Sequence, residues 1–100
     1  MPAIYLTKRF ERWFAQVADL HAKRRIQARI DRAEDGHLGD YKPVGEKVFE
    51  MRIHHGPGYR VYFTLHGLEI VVLLAGGDKS TQTADIAMAI KEARLLGDWR

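Results

Sequence analysis

The 100-residue chain contains no cysteine. This absence excludes disulfide bonds, cysteine-ligated zinc and a thiol nucleophile. The longest apolar run, at positions 70–75, is far shorter than the roughly 20 residues that a bilayer-spanning helix needs. The N-terminus also has no apolar stretch of signal-peptide length. These absences favour a cytoplasmic protein without a membrane segment.

Proline is scarce, with three residues, and no low-complexity segment interrupts the chain. Hydrophobic residues make up 46% and charged residues 29%, as in a folded globular chain. Because a chain of this length buries one core, we expect a single domain over residues 1–100. The net charge of +3 is a mild excess that favours polyanionic partners.

The N-terminal third predicts a strand followed by two helices. Residues 3–7, AIYLT, are short, apolar and β-prone. The first helix has an apolar face formed by Phe10, Trp13, Phe14 and Val17. Asp19 is a candidate N-cap for the second helix, whose apolar stripe is Ala22, Ile26, Ile30 and Ala33. Gly36 and Gly39 end that helix, and residues 36–47 are predicted to form a surface loop.

From Val48 the hydrophobic period changes to two, which predicts antiparallel strands. A turn at HGPG, residues 55–58, joins the first two strands. A second turn at His66 and Gly67 leads into the apolar run 70–75, which fits a central strand buried on both faces. A last helix follows, with Ser80, Thr81 or Thr83 as its cap, Asp85 in its first turn and Gly97 as its stop. Residues 98–100 are left outside it.

Polar side chains alternate with this apolar pattern on the two strands that flank the HGPG turn. They are Glu50, Arg52 and His54 on the first strand and Arg60 and Tyr62 on the second. In the simplest antiparallel register, these five side chains lie on one face within a few ångströms of each other. That arrangement predicts either a functional site or only the solvated face of a sheet.

Lys79 follows Gly76, Gly77 and Asp78 at the end of the apolar strand. The segment is not a phosphate-binding P-loop, because Leu73 and Asp78 occupy the two glycine positions of that motif. A helix N-terminus at this point favours an anionic group such as a phosphodiester. The other interpretation is a strand-to-helix connection that needs flexible glycines.

Five basic residues lie in the segment 21–32, three of them, Arg25, Arg29 and Arg32, on one side of the second helix. These three arginines either bind a polyanion or form a solvated face. His54 and His55 are adjacent, but the sequence has neither the spacing nor the carboxylates of a metal site. We therefore expect no metal, and His55 is interpreted as a turn residue.

Two motifs together carry a family resemblance: FEMRIHHGPGYRVYF at 49–63 and IVVLLAGGDKSTQTADIAMA at 70–89. With these motifs, nearly the whole chain resembles the phage-derived, HigB-like branch of the RelE/ParE toxin superfamily, also called addiction-module killer proteins. The resemblance implies an α+β fold in which two N-terminal helices pack on a twisted, mainly antiparallel sheet with a C-terminal helix. It also implies a type II toxin, inhibited by a cognate antitoxin of helix-turn-helix type, whose complex binds operator DNA through the antitoxin.

RelE and HigB relatives cleave mRNA on the ribosome, whereas ParE relatives poison DNA gyrase, and the fold alone does not decide between them. By motif position, Arg60 matches the RelE-type arginine that contacts the scissile phosphate. Arg52 matches a basic residue on the preceding strand, and Lys79 matches a basic residue at the end of the central strand. Two positions depart from the RelE pattern: Glu50 stands where RelE has lysine, and Asp85 stands near the position of its C-terminal catalytic tyrosine.

The nuclease hypothesis implies cofactor-free attack of a ribose 2′-hydroxyl on the adjacent phosphate. This reaction needs a base for the hydroxyl proton, an acid for the leaving 5′-oxygen and cations to stabilise the negative charge. Arg52, Arg60 and Lys79 suit the cationic role. Glu50 or His54 suits the base, and protonated His54 suits the acid. Substrate-binding candidates are Tyr62, which would stack on a base or orient the phosphate, and Arg25 and Arg29. The alternatives are a gyrase inhibitor without nuclease activity and an inactive relative that only binds its antitoxin.

Overall fold

The structure is a computed structural model that describes residues 2–67 and 69–97. Its elements in chain order are β1 (Ala3–Leu6), α1 (Lys8–Gln16), α2 (Leu20–Glu34), β2 (Tyr41–Gly45), β3 (Val48–Ile53), β4 (Tyr59–His66), β5 (Ile70–Gly77) and α3 (Gln82–Leu96). One turn of 3-10 helix, Lys79–Thr81, joins β5 to α3. The C-terminal residues 98–100, which the sequence leaves outside the last helix, lie outside the described residues.

The five strands form one sheet in the order β1-β5-β4-β3-β2. β1 pairs with β5 in parallel, and the other neighbouring pairs are antiparallel. The predicted α+β class, with its mainly antiparallel sheet, is therefore confirmed. β4 and β5 lie inside the sheet, and β5 is buried along nearly its whole length, as its apolar run predicts.

Helices cover both faces of the sheet. α1 and α2 bury the predicted stripes, including Phe10, Ile26 and Ile30, against Met51 and Phe63 of the sheet. On the opposite face, the residues that pack with α3 include Val48, Tyr62, Leu74 and Ala89. The face that carries the polar residues of β3 and β4 is therefore partly covered by α3. The burial of Glu50 and Tyr62 therefore contradicts the alternative in which this is only a solvated face.

The strand β2 lies where a loop was predicted. Its backbone pairs with β3 at the edge of the sheet, and an edge strand accepts Pro43 because the proline needs no ladder hydrogen bond there. The turn into β3 uses Glu46 and Lys47, both with positive φ angles of 44° and 65°. Such turns usually contain Asn-Gly or Asp-Gly. The sequence therefore lacks the usual signal of this hairpin.

The helix ends follow the predicted chemistry in part. The Asp19 carboxylate accepts hydrogen bonds from the amides of His21 and Ala22 and caps α2. Thr81 occupies the N-cap position of α3 but makes no capping bond with its side chain. Asp78 instead caps the preceding 3-10 turn by accepting from the Ser80 amide. α3 ends at Gly97, whose φ of 61° suits glycine.

Candidate functional site

The hairpin of β3 and β4 has the predicted register. Arg52 lies opposite Arg60, and Glu50 lies opposite Tyr62. On its other side, Arg60 lies opposite Gly77 at the end of β5. All of these residues therefore lie near one end of the sheet, beside the His54–Gly58 turn and the start of the 3-10 helix.

Glu50 is the counter-ion of both arginines. Its side chain is fully buried, with Oε1 3.1 Å from Arg52 Nε and Oε2 3.5 Å from Arg60 Nε. Gln82, the first residue of α3, donates a 2.7 Å hydrogen bond from Nε2 to Glu50 Oε2. Burial alone would raise the pKa of Glu50, but these hydrogen bonds and the charges of Arg60 and Lys42 lower it below its ordinary value. A buried carboxylate with a lowered pKa is poorly suited to be the general base.

Arg60 is fixed by the turn that precedes it. Its side chain is nearly buried, and Nη1 donates a 2.9 Å hydrogen bond to the Gly58 carbonyl. A methyl group at Gly58 would lie 3.5 Å from Arg60 Nη1 and 3.8 Å from Lys79 Cβ. Gly58 also has a φ of 80°. Because both distances are ordinary van der Waals contacts, it is the positive φ of the turn that requires glycine at this position.

Arg52, Arg60 and His54 meet at a small cleft of about 90 Å³. Its complete lining is Arg52, Ile53, His54, Gly58, Tyr59 and Arg60. The His54 side chain is 74% exposed, and its Nε2 lies 3.3 Å from Asp40 Oδ2. His55 points elsewhere, with Nε2 3.2 Å from Asp19 Oδ2 at the start of α2. The cleft is thus lined by two arginines that pair with Glu50 and by one largely exposed histidine.

Tyr62 lies beneath this site and is closed off from solvent. Its side chain is fully buried between the sheet and α3. Burial, together with the nearby charges of Glu50 and Asp85, raises the pKa of its hydroxyl far above the ordinary value. The predicted stacking of Tyr62 on an RNA base is wrong, because α3 covers its ring.

A second groove, of about 470 Å³, adjoins the cleft. It is lined by Arg25, Ala28, Arg29, Arg32, Ile53 and His54. Ile53 and His54 belong to both concavities, so the basic side of α2 continues into the cleft. Arg25 and Arg32 are exposed in this groove.

Arg29 differs from its two neighbours on α2 because it is nearly buried. Its guanidinium donates hydrogen bonds to the carbonyls of Arg52, Leu38 and Asp40. The predicted solvated face does not include Arg29. Its main contacts join α2 to the end of β3 and thereby support the backbone of Arg52.

The two glycines before Asp78 serve packing. A methyl group at Gly76 would lie 2.1 Å from Trp13 Cε3, and one at Gly77 would lie 1.7 Å from Asp85 Oδ2. The start of the following helical segment already holds the carboxylates of Asp78 and Asp85, which accept hydrogen bonds from Ser80 and Thr81. The predicted phosphodiester site at this helix start is therefore occupied by the protein's own acidic groups.

The chain matches one known protein family over most of its length. Residues 13–95 match the family described as phage-derived protein Gp49-like. The chain belongs to the Gp49-like family. The chain is also 46% identical over 94 residues to an uncharacterized protein of Haemophilus influenzae, covering 94% of this chain and 95% of that protein. No solved structure matches the chain significantly.

The Gp49-like family is a toxin-like family of addiction modules and is related to the RelE-type toxins of toxin–antitoxin systems. Membership therefore suggests an antitoxin as partner. Across residues 2–67 and 69–97, no helix has the length and hydropathy to cross a bilayer. Within the same residues, no three histidine or acidic side chains are grouped as metal ligands.

Two features of this Gp49-like site are not visible as motifs in the sequence. Gln82 reaches Glu50 only because α3 packs over β3 and β4. Asp40, beside His54, lies in a polar stretch that the composition predicts as an ordinary loop. To find Gln82 from the sequence, one would have to predict how α3 packs on the sheet.

Proposed function

We propose that this Gp49-like protein is the toxin of a type II toxin–antitoxin system and acts as a ribosome-dependent mRNA endonuclease of the HigB-like branch. In this proposal, residues 1–100 form a single toxin domain. The observation that carries it is the cleft whose lining includes Arg52 and Arg60, both paired with buried Glu50, and the largely exposed His54.

In the proposed reaction, the ribose 2′-oxygen attacks the adjacent phosphorus while the bond from phosphorus to the 5′-oxygen breaks. The products are a 2′,3′-cyclic phosphate and a 5′-hydroxyl. His54, whose Nε2 lies 3.3 Å from Asp40 Oδ2, accepts the 2′-hydroxyl proton. The leaving 5′-oxygen takes a proton from solvent, to which the cleft is open. These steps need no cofactor.

The arginines stabilise the charge that develops on the phosphate. Arg52 and Arg60 line the cleft, and a guanidinium presents paired donors that match phosphate oxygens. Exposed Lys79 adds an ammonium group, since its β-carbon lies beside Gly58, a lining residue of the cleft. Glu50 acts in this scheme as a positioning residue for both arginines rather than as the base.

The substrate strand enters along α2 in this proposal. Arg25 and Arg32 line the groove that shares His54 with the cleft, and exposed arginines bind phosphates without regard to sequence. Arg29 contributes to the groove mainly through its support of the Arg52 backbone. The ribosome would supply further orientation of the reacting nucleotides.

The proposal also includes the cellular location of the protein and its partners. A cytoplasmic location places the protein with ribosomes and mRNA. The antitoxin would be a helix-turn-helix protein that neutralises the toxin, and operator DNA would be bound through the antitoxin only.

The proposal is tested with purified protein, ribosomes and a defined mRNA. We expect primer extension to show cuts only when ribosomes are present, and the fragments to carry 2′,3′-cyclic phosphate and 5′-hydroxyl ends. Supercoiling by purified gyrase should be unaffected at the same protein concentration. Uncut mRNA with inhibited gyrase would establish the ParE-like alternative, and neither effect would leave a protein that only binds its antitoxin.

A further inference from the structure

A separate concavity of about 300 Å³ lies between α1 and α3 at the same end of the sheet. β1 pairs with β5 only as far as Leu73, and Thr7 Oγ1 donates to the Leu74 carbonyl just beyond. The following residues of β5, Ala75 and Gly76, line the concavity. The pocket therefore occupies the edge of β5 that the shorter β1 leaves uncovered.

The walls of this pocket are built by two close packings on glycine. Trp13 of α1 packs directly on Gly76, and Asp85 of α3 packs directly on Gly77. Trp13 and Asp85 both line the pocket, together with Met88. Glycine at positions 76 and 77 is thus required for Trp13 and Asp85 to take these positions in the wall of the pocket.

The pocket also has a basic rim formed by two arginines of α1. Arg9 is held by Glu92 of α3, with Nε 3.0 Å from Oε1. Arg12 is exposed and forms no ion pair with any described residue. Asp85 Oδ2 accepts a hydrogen bond from Thr81; within residues 2–67 and 69–97, its Oδ1 accepts none. One cation and one acceptor oxygen therefore remain for a ligand.

The pocket adjoins the cleft of Arg52 and Arg60. Tyr59 is a lining residue of that cleft, and its ring meets Trp13 edge to face with the ring centroids 6.4 Å apart. Gly77 lies directly opposite Arg60 on the neighbouring strand, and neighbouring strands are about 4.8 Å apart. A nucleotide next to the phosphate in the cleft would therefore come to the pocket.

We propose that the pocket is a base-reading subsite for the nucleotide next to the scissile linkage. The base packs against Trp13, because aromatic side chains hold unstacked RNA bases. Arg12 binds a phosphate of the same nucleotide, and Asp85 Oδ1 accepts a hydrogen bond from an exocyclic amino group. Adenine, cytosine and guanine carry such a group and uracil does not, so the subsite selects against uracil. The inference rests on the proposed nuclease function.

The test is sequencing of cellular RNA ends after induction of the protein, with the base tallied at each position around the cuts. The wild type should disfavour uracil at one position next to the cut by about tenfold, the effect of one hydrogen bond to a charged acceptor. Asp85→Asn should reduce that preference severalfold at the same position alone. Arg12→Ala should lower cutting at all sequences while the preference stays.

Thr83→Ala in the same turn of α3 and Arg24→Ala on α2 are the matched controls, since both residues are exposed and neither lines the pocket. Both should leave cutting and base preference unchanged. Arg12→Ala alters an exposed side chain and keeps the test decisive if Asp85→Asn does not fold. Normal cutting with unchanged preference in Asp85→Asn, or undiminished cutting in Arg12→Ala, would overturn the subsite and leave the nuclease intact. An absence of cuts by the wild type would overturn both.

Discussion

Arg52 and Arg60 lie directly opposite each other on β3 and β4, with the buried carboxylate of Glu50 as their common counter-ion. Two like charges at opposed positions of a sheet repel each other. Glu50 offsets this repulsion, with its oxygens 3.1 Å from Arg52 Nε and 3.5 Å from Arg60 Nε. The carboxylate thereby allows two guanidinium groups to share one cleft.

Glu50→Gln removes this counter-ion while it keeps the size of the side chain. We expect the free energy of unfolding to fall by about 3 kcal/mol, because a buried ion pair loses one partner. The proposed mRNA cleavage should fall with it as the arginines lose their alignment. Urea denaturation and primer extension measure the two effects.

Glu46→Gln is the matched control for that change. Glu46 pairs with Arg94 at a distance of 2.6 Å, but both side chains are at least half exposed. Exposed pairs contribute about 0–1 kcal/mol, so the control should stay near wild-type stability and cleave normally. Equal stability of Glu50→Gln and Glu46→Gln would show that the buried carboxylate does not organise the site.

The stabilisation by Glu50 should depend on pH. Its pKa in the folded protein is lowered from the ordinary value of 4.5. A lowered pKa adds stability at pH values above the unfolded pKa, and this stability is lost as the pH falls through the folded pKa. The stability difference between wild type and Glu50→Gln should therefore shrink on acidification below about pH 4.5. A difference that stays constant between neutral pH and about pH 3 would contradict the assignment.

Gly76→Ala should destabilise the protein through Trp13. The added methyl group would lie 2.1 Å from Trp13 Cε3, so the indole or the strand must move. Overpacking of this kind costs about 1–3 kcal/mol. In a double-mutant cycle, Trp13→Leu should relieve part of that cost, so the two changes should not be additive. If the effects of Gly76→Ala and Trp13→Leu on thermal unfolding were fully additive, the clash between the added methyl group and Trp13 would not be the source of the destabilisation.

Some of these features follow directly from sequence patterns and others do not. Period-two alternation around the rigid HGPG turn predicts the register of β3 and β4, and this prediction is confirmed. The apolar stripe of α2 is likewise buried as predicted. These features are local, because the spacing of residues along one element determines them.

The features that the sequence does not predict depend on how separate elements pack. The burial of Glu50 and Tyr62 results from the position of α3 over the sheet, which its own periodicity does not specify. Arg29 is satisfied by backbone carbonyls, which leave no pattern in the sequence. The contact between Trp13 and Gly76 joins α1 to β5, which are distant along the chain. The roles of these residues therefore emerge only from the fold.

His54→Gln should abolish most of the proposed cleavage because glutamine does not take up a proton. Loss of a general base lowers a rate by about 100-fold or more. Since His54 is largely exposed, the unfolding free energy should change by less than about 0.5 kcal/mol. His37→Gln, at another exposed histidine, is the control and should cleave at the wild-type rate. Undiminished cleavage by His54→Gln would remove the histidine from the mechanism.

The most direct test of the nuclease assignment compares Arg60→Ala and Arg60→Lys with Arg24→Ala, in which an exposed charge of α2 is removed. Each variant is induced without antitoxin, its folding is checked by thermal unfolding, and the cellular mRNA ends are mapped. We predict that wild type and Arg24→Ala produce ribosome-linked cuts and stop growth. Arg60→Ala should produce none, and Arg60→Lys should produce few because lysine lacks the paired donors. Cuts at the wild-type frequency in a folded Arg60→Ala variant would contradict the proposed nuclease site.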